Sequence, residues 1–185
     1  ATTGSTIGTL TTPVNGSGGR VNGIELAGSL PFGMLADFLN GFGVQASYAR
    51  TDSSVKIPTS GVVTDNITNP NIPLPGLSKN SSNIVVYFEH SGFSARVGQR
   101  YRSDFIGEVS SFTGDRQLTW VKGEKVVDAQ VGYEFQDGYL KGLSLLFQAQ
   151  NLGNEPFVRY RDVPANEMER VKFGKTYLFG LNYKL

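Results

Sequence analysis

The first residues to consider are those whose side chains could catalyse a reaction or hold a metal ion. The 185-residue chain contains one histidine, His90, and no cysteine. A Ser–His hydrolase needs its histidine beside a serine and an orienting carboxylate, but Ser91 and Ser94 lie with His90 in and beside a predicted tight turn. One histidine without cysteine is also too little for a zinc site. We therefore expect no catalytic residues, no resident metal ion and no cofactor.

Acidic pairs in two predicted loops are the remaining candidates for metal binding. Asp104 and Glu108 form one pair, and Glu167 and Glu169 form the other. Such carboxylates can ligate Ca²⁺. Solvated loop charge is the simpler interpretation of both pairs.

Aromatic and polar residues in the same loops indicate a different chemistry, the binding of a polar solute. Sugars stack on aromatic rings and form hydrogen bonds with Arg, Asp and Asn. The alternative for Trp120 is a place in the aromatic girdle of a membrane barrel. The candidate substrate-path residues are Arg102, Asp104, Phe112, Trp120, Tyr160 and Arg161.

These residues must be positioned by strands, and the clearest predicted strand is the last one. From Phe173 to Leu185 apolar and polar residues alternate with period two, which is typical of a strand with one apolar face. The stretch is longer than an ordinary strand of about 5–6 residues. A strand of roughly ten residues with aromatic side chains near both ends is typical of an outer-membrane barrel, where lipid covers the apolar face.

The rest of the chain repeats this alternation. Further strands are predicted at 20–32, 42–50, 83–89, 93–102, 125–135 and 143–151. Short connections at 33–41, 90–92 and 136–142 alternate with long ones at 51–81, 103–124 and 152–172. Tight turns at one end and long loops at the other predict an all-β, antiparallel, up-and-down segment of a transmembrane β-barrel, with about seven or eight strands. A soluble β-sandwich, the alternative, would not sort its loops in this way.

Charge and hydropathy agree with a barrel wall. No run of about 18 apolar residues is present, which excludes a transmembrane helix. The net charge of +1 argues against a nucleic-acid binder organised by a basic face. The face opposite the apolar one is strongly polar, as the lining of a lumen must be. The predicted lumen-facing polar network is Glu25, Glu89, Arg96, Arg100, Asp128 and Glu134.

Five segments, together with the terminal strand, carry a family resemblance. They are NGSGGRVNGIEL at 15–26, LPGLSKN at 74–80, GFSAR at 92–96, YRSDF at 101–105 and FQAQNLGNEPF at 147–157. In their order and spacing they resemble TonB-dependent outer-membrane receptors. The resemblance extends over nearly all of residues 1–185 and is to the C-terminal third or so of the 22-stranded barrel. YRSDF is most similar to a proteobacterial branch often linked to carbohydrate uptake.

The resemblance implies a Gram-negative outer-membrane receptor without enzymatic activity. Such a receptor binds a scarce small molecule outside, and passes it inward when the TonB complex pulls on a plug domain. The plug and the earlier strands are not among these residues. Outer-membrane lipid and lipopolysaccharide are further implied partners, and Lys175 is expected to meet lipopolysaccharide phosphate. A small complete eight-stranded barrel, serving as an adhesin or a structural protein, is the alternative.

The end of the chain is also expected to be recognised by the barrel-assembly machinery. The family usually ends in Phe or Trp, whereas Leu185 stands here, and Tyr183 is expected to substitute in part. The resemblance implies an assembly signal that consists of Tyr177, Phe179, Leu181, Tyr183 and Leu185.

Overall fold

A computed structural model of the chain describes residues 18–56, 71–112 and 115–184. The helices of this part are single 3₁₀ turns, and none is long or apolar enough to span a membrane. The strands are, in chain order, β1 (Gly19–Pro31), β2 (Phe42–Lys56), β3 (Asn71–Ile72), β4 (Asn80–His90), β5 (Phe93–Arg102), β6 (Phe105–Phe112), β7 (Asp115–Val121), β8 (Glu124–Glu134), β9 (Leu143–Gln150), β10 (Phe157–Arg161), β11 (Glu167–Val171) and β12 (Thr176–Tyr183).

The first sheet has the order β1-β2-β4-β5-β8-β9-β12, and the short β3 pairs with the far end of β2. All of its neighbouring strands are antiparallel. Strands β1 and β12 form its two edges, so the sheet does not close on itself within the described residues. This arrangement confirms the predicted fold class, an up-and-down segment of a β-barrel.

The register separates the two faces of the first sheet. Val86 pairs with Val97, which pairs with Ala129, so these apolar residues form one row across β4, β5 and β8. On the opposite face Arg96 pairs with Gln130. Side chains alternate between faces along a strand, so every strand adds to one apolar face and one polar face. Val97 is 52% exposed, which is the exposure expected of a wall covered by lipid rather than by protein.

A second sheet, with the order β11-β10-β7-β6, corrects the prediction that 103–124 and 152–172 are loops. The two connections form the hairpins β6–β7 and β10–β11. Only residues 103–104 separate β5 from β6, and only residues 122–123 separate β7 from β8. The second sheet therefore prolongs the wall of the first sheet beyond its loop end. Register shifts in both hairpins break the period-two pattern, which hid these strands from the sequence analysis.

The second sheet contains most of the buried side chains. Ile106 and Val158 are the largest fully buried ones, and Val121, Thr119 and Tyr160 are also buried. The first sheet has no comparable cluster among the described residues. Apolar packing inside the protein is thus concentrated where the chain extends past the apolar face.

Strand ends also differ from the predicted ones. Strand β2 continues to Lys56, into the predicted loop 51–81, and β4 begins at Asn80. The terminal strand is Thr176–Tyr183 and is shorter than the predicted 173–185. Residues 57–70 of the predicted loop and Leu185 lie outside the described residues.

Candidate functional site

Asp104 occupies the junction between the two sheets, in the short break between β5 and β6. Its Oδ1 accepts a hydrogen bond of 2.8 Å from the backbone N–H of Gly123, in the matching break between β7 and β8. Its Oδ2 accepts a hydrogen bond of 2.6 Å from the hydroxyl of Tyr160 in β10. One carboxylate therefore joins three parts of the wall that lie far apart in the sequence.

Tyr160 connects this carboxylate to Trp120. The two residues are paired in the β10–β7 register, and their rings stack with centroids 6.3 Å apart and an angle of 6° between the planes. Burial and the hydrogen bond to Asp104 raise the pKa of the Tyr160 hydroxyl. The hydroxyl thus stays protonated at neutral pH and remains a donor. We call Asp104, Trp120 and Tyr160 the junction cluster.

A cavity of about 450 Å³ adjoins the junction cluster. Lys79 Nζ lies 2.8 Å from Asp52 Oδ1 at its side. The hydrogen bond from Lys79 lowers the pKa of the Asp52 carboxyl group, which is therefore ionised at neutral pH. The aromatic rings can stack on a polar ligand, and the neighbouring ion pair can form hydrogen bonds with it. Because the two charges of the pair balance, the ligand needs no net charge. The lining includes Asp52, Lys79, Asn80, Asp104, Phe105 and Trp120.

The other candidate substrate-path residues are placed differently. Arg102 Nε lies 3.1 Å from Glu124 Oε1, and the guanidinium lies 4.6 Å from the ring centroid of Phe105. Arg102 is thus tied to the wall next to the cavity. Arg161 is exposed at the end of β10 and is not among the residues that line the cavity. The side chain of Phe112 lies outside the described part of the structure.

The six residues of the predicted polar network lie on the polar face of the first sheet, but only two of them form an ion pair with each other. Arg100 Nη2 lies 3.7 Å from Asp128 Oδ2. Arg96 instead donates a 2.6 Å hydrogen bond to Gln130 Oε1, which also accepts one of 2.9 Å from Gln148. Among the described residues no ion pair includes the remaining members, which are Glu25, Glu89 and Glu134.

Gln130 and Gln148 form a contact that the sequence pattern did not predict. The alternation already assigned both to the polar face. Their pairing across β8 and β9, however, depends on a register that only the folded sheet shows.

The strand register separates His90 from Ser94. His90 pairs with Phe93 on the apolar face, and its ring lies 6.3 Å from that of Phe88. Ser94 pairs with Glu89 on the opposite, polar face. A hydroxyl of Ser94 thus points away from the imidazole of His90.

The acidic pairs are likewise engaged by other partners. Glu108 forms a 3.0 Å ion pair with Arg159, and Glu169 lies 3.4 Å from the same guanidinium. Glu167 accepts a hydrogen bond from the Arg170 guanidinium, and that hydrogen bond lowers the pKa of the Glu167 carboxyl group. The described residues contain no group of three or more side chains that could hold a metal ion.

Four residues of the predicted assembly signal share one face of β12. Tyr177 stacks on Phe147 of β9 with ring centroids 6.1 Å apart. Phe179 is 72% exposed, so no part of the chain that the structure describes covers this face there. The assembly role of Tyr177, Phe179, Leu181 and Tyr183 remains a prediction.

The fold and the sequence are similar to those of known proteins. Residues 1–152 match the family described as TonB dependent receptor-like, beta-barrel. The solved structure of the ferric citrate transporter FecA, in its unliganded form, is 17% identical with a TM-score of 0.63, over 89% of this chain and 24% of FecA. The siderophore receptor PiuA from Acinetobacter baumannii is 18% identical with a TM-score of 0.59, over 89% of this chain and 22% of PiuA.

The chain spans about a quarter of each solved structure, and at these identities the likeness shows the fold alone. No curated protein matches the chain.

Proposed function

The chain belongs to the TonB-dependent receptor-like β-barrel family, and on that premise we propose that it forms part of the wall of an outer-membrane receptor. The receptor takes up a scarce solute into a Gram-negative cell. The family match over residues 1–152 carries the proposal. The two-faced first sheet supports it, because an apolar face suits lipid and a polar face suits a lumen.

The exposed edges of β1 and β12 support a larger barrel. A backbone polar group without a hydrogen bond costs several kcal/mol in lipid. We propose that further strands of the same domain pair with both edges, and that residues 1–185 are the C-terminal portion of a 22-stranded barrel. A plug domain and the TonB complex supply the force for transport. Lipid, lipopolysaccharide and the barrel-assembly machinery complete the proposed partners.

The cavity beside the junction cluster is the proposed contact for the solute. Trp120 offers a ring face, and Asp52, Lys79 and Asn80 offer hydrogen-bonding groups. This lining suits an uncharged polar molecule such as a carbohydrate, and a siderophore is the other class to test. The wall supplies no catalytic step in this proposal.

Intact mass tests the receptor proposal first. We expect the protein isolated from its native outer membrane to have a mass several times the 20.1 kDa of this chain. A mass near 20 kDa would reject the receptor and favour a small closed barrel. We also expect intact cells to take up the solute and to lose this uptake when the TonB complex is deleted.

A substitution in the full-length receptor tests the cavity. Trp120→Ala should weaken solute binding by roughly 2- to 13-fold, because an aromatic contact contributes about 0.5–1.5 kcal/mol beyond buried area. Phe147→Ala, which removes an aromatic side chain from the apolar face, is the matched control and should leave affinity unchanged. The affinities of wild type and of both variants are measured by titration with a panel of oligosaccharides and ferric siderophores. Equal affinities for all three proteins would remove Trp120 from the proposed site.

A further inference from the structure

The polar face of the first sheet contains a depression of about 290 Å³ whose lining includes Gly98 of β5. The register places Gly98 between Val85 of β4 and Asp128 of β8. Glycine has no side chain, so the side chains of the neighbouring rows rise above this position. The volume is close to the lower limit of about 300 Å³ for small-molecule sites. We call this depression, with its polar side chains, the Gly98 depression; they include Gln45, Asn83, Arg100, Asp128, Gln130 and Gln150.

Several amide groups in the Gly98 depression are free to bind a ligand. Gln130 Oε1 accepts two hydrogen bonds from the Arg96 guanidinium, at 3.2 and 2.6 Å, which orients the amide and leaves its Nε2 group as a donor. In the described part of the structure, no hydrogen bond engages the side-chain amides of Gln45, Asn83 and Gln150. An amide offers both donors and an acceptor, so the depression suits groups that do the same, as hydroxyls do.

Polar residues connect the Gly98 depression to the cavity beside the junction cluster. A second depression, of about 350 Å³, shares Asn83 and Arg100 with the first. It extends to the ion pair of Arg102 and Glu124, and the Arg102 guanidinium lies over the ring of Phe105, which lines the cavity. The distance along β5 from cavity to depression is roughly 17 Å, for five residues at about 3.3 Å each.

The charges along this part of the wall balance. Arg102 Nε lies 3.1 Å from Glu124 Oε1, and Arg100 Nη2 lies 3.7 Å from Asp128 Oδ2. Of the described residues that line the Gly98 depression, none is aromatic. The lining can therefore hydrogen-bond an uncharged solute but offers no ring for stacking. The charged residues of the two depressions are three arginines and three carboxylates, namely Arg96, Arg100, Arg102, Glu25, Glu124 and Asp128.

We infer that the Gly98 depression is a second binding site for the solute, which occupies it after leaving the cavity beside the junction cluster. The inference rests on the proposed function, because the polar face must line the lumen. The ligand class is an uncharged molecule rich in hydroxyl groups, such as an oligosaccharide. Hydrogen bonds without stacking bind such a molecule more weakly than a site that also has an aromatic contact. Weak binding suits a site that the solute must also leave.

Substitution of Gly98 in the full-length receptor tests the second site in intact cells. A Cβ atom at Gly98 would lie 3.4 Å from Val85 Cγ2, so a larger side chain fits the backbone and extends into the depression. The probe is the oligosaccharide that wild type binds most tightly in the titration panel. Gly98→Leu should lower its maximal uptake rate by roughly tenfold, which corresponds to about 1.4 kcal/mol of barrier. The Kd of external binding should stay unchanged.

Asn83→Ala tests the same site without filling it. Loss of one amide should lower the maximal uptake rate by roughly 2- to 13-fold, since one hydrogen bond contributes about 0.5–1.5 kcal/mol. Gly28→Leu is the matched control for Gly98→Leu. Gly28 pairs with Ala46 on the apolar face, and a Cβ atom there would have no neighbour within 4 Å. This control should keep wild-type uptake, and heat-modifiable electrophoretic mobility is measured to check that each variant folds.

Photocrosslinking locates the solute directly. A diazirine derivative of the same oligosaccharide should label residues 81–102 and 124–134 in wild-type cells, and Gly98→Leu should abolish these labels. Labels confined to 104–120 would mean that the plug domain fills the depression and would overturn the inference, as would wild-type uptake by Gly98→Leu. Failure of wild type to bind any oligosaccharide would reject the proposed solute class together with the second site. Normal external binding without an effect of Gly98→Leu would reject the second site alone.

Discussion

The two sheets consist of similar antiparallel strands but keep their apolar residues in different places. In the first sheet Val97 is 52% exposed on a face that no other part of the described chain covers. In the second sheet Val158 is 2% exposed and Ile106 is fully buried. The first sheet suits an apolar solvent, whereas the second extends beyond it and must remove apolar side chains from water by packing them together.

This difference changes what a given substitution should do. Truncation of a buried side chain leaves a cavity that the protein can only partly close. Truncation on the apolar face leaves a space that lipid chains can fill. Introduction of a charged side chain is unfavourable on a surface that contacts lipid, whereas a surface that contacts water tolerates it. The following variants of the full-length receptor use pairs that match in residue type or in exposure.

The largest effect is expected from Ile106→Ala in β6. Removal of a fully buried isoleucine side chain should destabilise the second sheet by about 2–5 kcal/mol. Amide hydrogen exchange should become faster in 105–121 and 157–171 and should stay unchanged in 84–97. Ile84→Ala, at a position 43% exposed on the apolar face, is the matched control with a small expected effect. Equal effects at the two isoleucines would mean that the sheets do not differ in packing.

The next effect is expected from Val97→Arg, halfway along the apolar face of β5. An arginine near the bilayer midplane should reduce the free energy of unfolding by about 2–4 kcal/mol. Val163→Arg is the control, since Val163 has nearly the same exposure of 51% but lies in the connection between β10 and β11. Denaturant unfolding in lipid vesicles should separate the two variants. A cost at Val163 as large as that at Val97 would contradict the membrane assignment of the first sheet.

A smaller effect is expected at the connection between the sheets. Asn151 Nδ2 donates to the carbonyl oxygens of Glu155 and Gly174, and its Oδ1 accepts the N–H of Glu155 at 2.8 Å. Asn151→Gly can keep the left-handed backbone conformation, with φ of 53°, but removes these hydrogen bonds. We expect the variant to be less stable by about 1–3 kcal/mol.

Asn154→Gly is the matched control for that variant. Asn154 has a φ of 51°, so glycine relieves the same kind of backbone strain there. Hydrogen exchange in β10 and β11 should respond only to the Asn151 variant. A similar response to both would assign the effect to the backbone rather than to the side-chain bridge.

The smallest effect is expected from Tyr160→Phe. Loss of the hydrogen bond to Asp104 should cost about 0.5–1.5 kcal/mol near pH 8. The pKa of Tyr160 is raised in the folded protein, so its contribution is complete below the ordinary tyrosine pKa of 10.0 and decreases as pH rises above it. Wild type should therefore lose more stability than the variant between about pH 10 and 11. Parallel pH profiles for the two proteins would exclude this linkage.

Parts of the fold and of the site could be predicted because they depend on neighbours along the chain. Period-two alternation identified β5, whose bounds of 93 and 102 agree with the structure. It also assigned Arg96 and Asp128 to the polar face. The strands of the second sheet escaped prediction because bulges shift the alternation in β6 and β10, and because charged residues such as Glu108 and Arg159 interrupt it.

The order of apolar and polar residues was enough to predict strands with one apolar face and one polar face, since alternation is a property of each strand alone. The folded chain alone showed that Asp104 meets Tyr160 and that Trp120 stacks on it. These residues lie up to 56 positions apart, and their contact requires the registers of β6, β7 and β10 together. Register is set by long-range pairing and packing, which no single segment specifies.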